Sequence, residues 1–155
     1  MERLGLIHLL DTAAWINGVT MPQVLPPRIR RLLQTKEPKG LCSVSLLETA
    51  ILFRLGRLEL EGTLADFFAA GLSSDLSVLE LTPGIAAGTN DLPENFPGDP
   101  FDRTIVATAA ALNLTLITAD SAIRDAQACS VEYYPFKPSS SSQLHPIRSQ
   151  RSQSR

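Results

Sequence analysis

"LGLIHLL", residues 4–10, followed at once by Asp11 and the "TAAW" of 12–15, is the stretch on which the fold turns. It is a short, nearly continuous apolar run, as expected of a strand buried on both faces of a parallel sheet rather than of one alternating between core and water. Four further runs follow: "LCSVS" (41–45), "LSVLEL" (76–81), "LTLIT" (114–118) and the weaker "VEYYPF" (131–136). Between them lie helical segments, "PRIRRLLQT" (27–35), "LLETAILFRLG" (46–56) stopped by Gly56, and "TLADFFAAG" (63–71) stopped by Gly71. After a helix and loop in "TPGIAAGTNDLPENFPG" (82–98) come "FDRTIVATAAALN" (101–113) and "SAIRDAQA" (121–128). Strands interleaved with helices predict an α/β three-layer sandwich with a mainly parallel central sheet of about five strands.

Composition sets the limits. A chain of 155 residues with 44% hydrophobic residues suffices for one core. One domain is therefore expected over 1–136, followed at 137–155 by a Ser-, Gln- and Arg-rich tail that reads as disordered. No apolar run is long enough to span a bilayer, and "MERLGLIHLLDT" lacks the pattern of a signal peptide, so a cytoplasmic protein is expected. Cys42 and Cys129 form no CxxC pair, and His8 and His145 are far apart, which leaves zinc without an evident home. Of the net charge of −2, the tail carries +4 and residues 1–136 carry −6. An acidic body is a poor general binder of nucleic acid, so any such contact must be local. Arg28, Arg30 and Arg31 make the best patch, although a solvated helix face explains them equally well.

The acids are the informative residues. In a parallel sheet built from right-handed crossovers, strands end and their following helices begin at one edge. Asp11, Glu48, Asp102 and Asp120 all fall at helix beginnings on that rim. Each has a local explanation: Asp11, Asp99 and Asp120 suit N-caps, Pro100 suits the first helical position, and Ser45-x-x-Glu48 fits a capping box. Jointly the local explanations weaken. Two carboxylates in close contact repel by about 4 kcal/mol at a surface-like dielectric, whereas a cap returns about 1 kcal/mol. Carboxylate oxygens without thiolate or paired imidazole suit Mg²⁺ or Mn²⁺, and the chemistry such a site favours is hydrolysis of a phosphodiester.

"LLDTAAW" (9–15), "SVSLLETAILFRLGRLEL" (43–60), "LTPGIAAGTNDLPENFPGDPFDRTIVATA" (81–109) and "LTLITADSAIRD" (114–125) resemble, in this order and spacing, the motif blocks of the PIN-domain ribonucleases, and more narrowly the VapC-type toxins of bacterial toxin–antitoxin pairs. The resemblance covers about residues 6–134. It implies a PIN-like fold and a metal-dependent endoribonuclease that acts on RNA, is inhibited by a cognate antitoxin and forms a homodimer. Asp11, Glu48 and Asp102 match the family's core metal-binding acids, Asp120 the fourth, and Asp99 an auxiliary acid. Asp11, Glu48, Asp102 and Asp120 are thereby the expected catalytic residues, with Thr12 and Thr118 at polar positions beside them. Ala13 and Pro97 depart from the family's usual residues. Trp15 reads as core or as a dimer contact, His8 as a core histidine, and Arg103 as the partner of a neighbouring acid or of phosphate. Two rivals share parts of the pattern: a haloacid dehalogenase-like phosphatase, which wants an aspartate where Ala13 stands, and a non-catalytic receiver-like module, which wants paired acids after its first strand.

Overall fold

The structure, a computed structural model, describes residues 5–136; the tail expected from residue 137 lies outside the described residues. Five strands form one parallel sheet: β1 (His8–Leu10), β2 (Lys39–Cys42), β3 (Leu76–Leu79), β4 (Thr115–Thr118) and β5 (Val131–Tyr133). Their order is β3-β2-β1-β4-β5. Leu9 sits opposite Gly40 on one side and Leu116 on the other. The chain therefore winds outward from β1 in one direction as far as β3, then returns to the other flank for β4 and β5. This reversal makes the β1/β4 boundary the topological switch point, where ligands of open α/β sheets bind beyond the strands' C-terminal ends.

The side-chain alternation of β1 divides the core. Leu10 faces a layer with Ala14, Trp15 and Ile16 of α1 (Thr12–Thr20), Ile29 of α2 (Pro27–Gln34) and Phe67 of α4 (Leu64–Gly71). Leu9 faces the opposite layer, with Ile105, Val106 and Ala109 of α6 (Pro100–Leu112) and Ile123 of α7 (Ser121–Ala126). Helix α5 (Pro83–Gly88) packs on α6, while α3 (Ser43–Arg54) touches both α1 and α6 and so bridges the two layers. The expected sandwich is thus present. Trp15 belongs to the core: it is 2% exposed, its indole N–H donates to Gly71 O at 3.0 Å, and its ring meets Phe67 and Phe68. His8, by contrast, is only half-buried at the opening of β1.

Ends of elements follow local chemistry. Helix α4 starts with the reciprocal capping box of Thr63 and Asp66. Asn113 ends α6 in the left-handed region at φ 53°, a conformation that Asn tolerates, and this turn admits the chain into β4. One boundary corrects the sequence reading. The second strand ends at Cys42 and α3 begins at Ser43, so Ser45 lies inside the helix, fully buried, and caps nothing.

Candidate metal centre

Asp11 follows β1 and caps α1, its Oδ1 accepting from the Ala14 N–H at 2.7 Å. Its own N–H donates to Ile117 O at 3.2 Å, which ties it to β4 across the switch point. Asp120 caps α7 after β4, with Oδ1 accepting from Ala122 N at 2.8 Å and Ile123 N at 3.4 Å. Thr118, fully buried at the end of β4, joins the two: it hydrogen-bonds the Asp11 carboxyl and accepts from the Asp120 N–H at 3.1 Å. Burial first, then the neighbouring Asp120 charge, lifts Asp11 from 3.8 to about 6, although the bonds from Thr118 and Ala14 hold it down.

Glu48 comes from the second turn of α3 and crosses to α1, where the Thr12 hydroxyl donates to its Oε2 at 2.5 Å. Thr12 Oγ1 also lies 2.9 Å from Ser45 Oγ, and both hydroxyls are buried. The spacing that resembled a capping box thus serves a side-chain triad between two helices. Burial, followed by the charges of Asp99 and Asp11, raises Glu48 from 4.5 to about 7 despite the Thr12 bond.

The third contribution comes from the start of α6. Asp99 caps this helix, Oδ1 accepting from Phe101 N at 2.9 Å and Asp102 N at 3.0 Å. Asp102 itself caps nothing. Burial, then repulsion from Asp99, Glu48, Asp120 and Asp11 in that order, raises it from 3.8 to about 8. All five acids singled out in the sequence are therefore electrostatically coupled at one rim. The charges that move Glu48 and Asp102 are carboxylates in every case, with no lysine, arginine or histidine among them.

Gathering is not the same as closure. Among the described residues, no group of three or more His, Cys, Asp or Glu side chains is set to hold a metal ion. Like charges hold one another off, and Asp11, Asp99 and Asp120 each commit an oxygen to helix amides. The rim nevertheless fits a hard divalent ion in its donors, which are all oxygen, and in its uncompensated negative charge.

Arg103 departs from expectation. It pairs with no acid among the described residues; Nη2 donates to Thr89 O at 2.8 Å, and Nη1 lies 3.3 Å from both Phe96 O and Pro97 O. Nor do the arginines of α2 form one patch. Arg28 is ion-paired with Glu132 and reaches Tyr133 O at 3.3 Å, whereas Arg30 lines a cavity of about 440 Å³ between α1, α2 and the end of α4. Two residues gain weight that the sequence did not give them. Ser45 joins Thr12, and Tyr134, fully buried, senses the Asp11 charge through a hydroxyl with no hydrogen-bond partner among the described residues. Tyr134 bears no sequence signal, because a tyrosine after a strand is ordinary, and the signal at Ser45 pointed to a helix cap instead of a contact between helices.

Residues 8–128 match the family model described as PIN domain. Ribonuclease VapC22 of Mycobacterium tuberculosis (strain ATCC 25618 / H37Rv) is 30% identical over 116 residues, covering 75% of this chain and 88% of that protein. VapBC2 from Rickettsia felis, solved bound to a DNA fragment from its promoter, superposes with a TM-score of 0.63 at 16% identity over 82% of this chain and 98% of that one. DNA-bound VapBC from Salmonella typhimurium gives a TM-score of 0.63 at 21% identity, over 83% and 98% of the two chains. Among the described residues, no helix is long and apolar enough to cross a membrane.

Proposed function

The chain belongs to the PIN-domain family, and from that premise we propose that it is a divalent-metal-dependent endoribonuclease acting as the toxin of a toxin–antitoxin pair. The observation that carries this reading is the rim itself: acids from four separate segments act on one another at the strand ends, Asp11, Glu48 and Asp102 are raised to about 6, 7 and 8, and the charges acting on them are carboxylates. Such a surface repels RNA phosphate unless a cation stands between them. The kinship to a ribonuclease of the VapC group supports RNA as the substrate, and neighbours solved as VapBC assemblies support a cognate antitoxin as partner. A homodimer belongs to the same proposal.

Asp11, Glu48 and Asp102 would hold the ion, with Asp120 and Asp99 beside them. Bound Mg²⁺ or Mn²⁺ supplies charge neutralisation at the phosphoryl oxygens and a more acidic water. The chain's own part is orientation and proton bookkeeping. Thr12 fixes the Glu48 carboxylate against α1, and Thr118 fixes Asp11 relative to Asp120. Because burial keeps the proton on Glu48 up to about 7 in the metal-free chain, holding the ion there would release that proton to solvent.

The test compares wild type with Asp102→Asn, using RNA with Mg²⁺, with Mn²⁺ and with chelator, alongside growth after induction without antitoxin. Metal-dependent cleavage and growth arrest, both lost in Asp102→Asn, are expected. Cleavage that persists in chelator, or in the variant, refutes the proposed site; unaffected growth on induction removes the toxin role alone.

A further inference from the structure

Arg103 occupies a position that helix electrostatics disfavours. It lies in the first turn of α6, where the backbone dipole presents partial positive charge and a cation gains nothing. Although Asp102 is its neighbour in the chain, its guanidinium forms no ion pair among the described residues. It converges instead on three carbonyls, those of Thr89, Phe96 and Pro97, at 2.8, 3.3 and 3.3 Å. Its carbon lies 5.8 Å from the centroid of the Phe96 ring, which is itself 4% exposed in the core beneath α6. One side chain thus ties the 3₁₀ turn after α5 (Thr89–Asp91) to the end of the loop that delivers Asp99.

Asp99 depends on that anchorage. It follows Gly98, around which an added Cβ would meet nothing within 4 Å, so packing does not restrain the chain there. The fixed points on either side of the glycine are Pro97, whose carbonyl Arg103 holds, and the α6 amides that Asp99 caps. A planar fork of five donors can serve three carbonyls at once, whereas a lysine offers a single nitrogen.

We propose that Arg103 is a positioning residue of the acidic rim: by clamping Thr89, Phe96 and Pro97 it fixes where Asp99 stands beside Asp102. The inference rests on the reading that these acids bind a divalent ion, but the clamp has its own readout. Full-length wild type, Arg103→Lys, Asp99→Asn and the double variant are compared in two measurements: Mn²⁺ affinity from titration, and amide exchange in metal-free protein. Arg103→Lys should weaken Mn²⁺ binding by roughly tenfold or more, Asp99→Asn by a similar factor, and the double variant no further than Asp99→Asn alone. In the same lysine variant the Phe96 amide, hydrogen-bonded to Pro93 O at 2.8 Å, should exchange faster while those of β1 and β4 do not change. An unchanged Phe96 amide overturns the clamp. A loss of affinity that persists in full on the Asp99→Asn background overturns the positioning role and makes Arg103 a purely structural residue. If wild type takes up no Mn²⁺, the metal reading falls, and the exchange rates alone then decide for or against the clamp.

Discussion

Replacing Asp102 by Asn should stabilise the metal-free protein, and by an amount that grows with pH. A carboxyl whose pKa is higher in the folded chain than in the unfolded one favours folding in its protonated form, so its ionisation takes stability away. For Asp102 the window runs from 3.8, its ordinary value, to about 8. Below the window the group costs nothing, within it the cost mounts as pH rises, and above it the cost is complete. At about 1.4 kcal/mol per pH unit the ceiling is on the order of 6 kcal/mol. Two corrections bring this down. Asp102 is half-buried, so solvent screens it, and part of its shift is shared repulsion that relaxes when Glu48 or Asp11 takes the proton instead. About 2 kcal/mol is a reasonable remainder at pH 8.5, which for a chain of this size raises Tm by roughly 4–8 °C. The assay is thermal unfolding in chelator at pH 5, 7 and 8.5, followed by the same series with excess Mn²⁺. The gap between variant and wild type should widen with pH in chelator. In Mn²⁺ it should close or reverse, because the ion stabilises the wild-type carboxylates. Equal Tm values at every pH in chelator would refute the claim that burial and repulsion at the rim oppose ionisation of Asp102.

Three other outcomes follow from the same geometry. Thr12→Val removes the hydroxyl that holds Glu48 down, so the Glu48 pKa should rise beyond about 7 and the alkaline shift should be visible in the pH profile of RNA cleavage. Asp120→Ala should cost about 1 kcal/mol through loss of the α7 cap, seen as a Tm lower by a few degrees, whereas Asp120→Asn, which can still cap, should keep the Tm and lose Mn²⁺ affinity. Gly71→Ala would bring a Cβ to 3.0 Å from Trp15 Cζ2, so about 1 kcal/mol or more of stability should be lost in denaturant unfolding, with cleavage per folded molecule unchanged.

Much of this was legible because burial marks the inner strands, whose Leu9, Leu41 and Ile117 are fully buried, and because the edge strand β3 is an apolar run although Val78 is exposed. The apolar runs around Leu9, Leu41, Val78 and Ile117 are the strands, and Asp11, Asp99 and Asp120 cap helices where the acids predicted them. The second strand was displaced by two residues for a physical reason. It opens with Lys39 and Gly40, residue types that disfavour strands in isolation. Here the Lys39 ammonium is satisfied by the Thr35 and Glu37 carbonyls at 2.8 and 2.9 Å, while at Gly40 a Cβ would come within 2.8 Å of Leu79 Cδ1. Tertiary packing, absent from a local pattern, made good strand residues of both. Starting the strand late carried Ser45 to the helix boundary and produced a capping box where the fold has a contact between helices. Arg103 was opaque for a related reason: its partners are carbonyls, which every residue carries and no sequence pattern distinguishes.

Cap and site looked like rival readings of the same aspartates, yet the structure makes each the condition of the other. A cap orients a carboxylate by bonding one oxygen to amides of rigid backbone, and it returns about 1 kcal/mol for each helix so started. Three capped helices, α1, α6 and α7, thus return about 3 kcal/mol in total, comparable to a single close carboxylate repulsion at a surface-like dielectric. The caps can therefore bring the acids together but cannot make them comfortable. Burial adds to the repulsion, and the sum shows in three carboxylates: Asp11, though it caps α1, is raised to about 6, Glu48, steadied by Thr12, to about 7, and Asp102, which accepts no hydrogen bond among the described residues, furthest, to about 8. The largest rise thus falls on Asp102, the one of the three that no hydrogen bond steadies among the described residues. A rim built for capping alone would have no use for it.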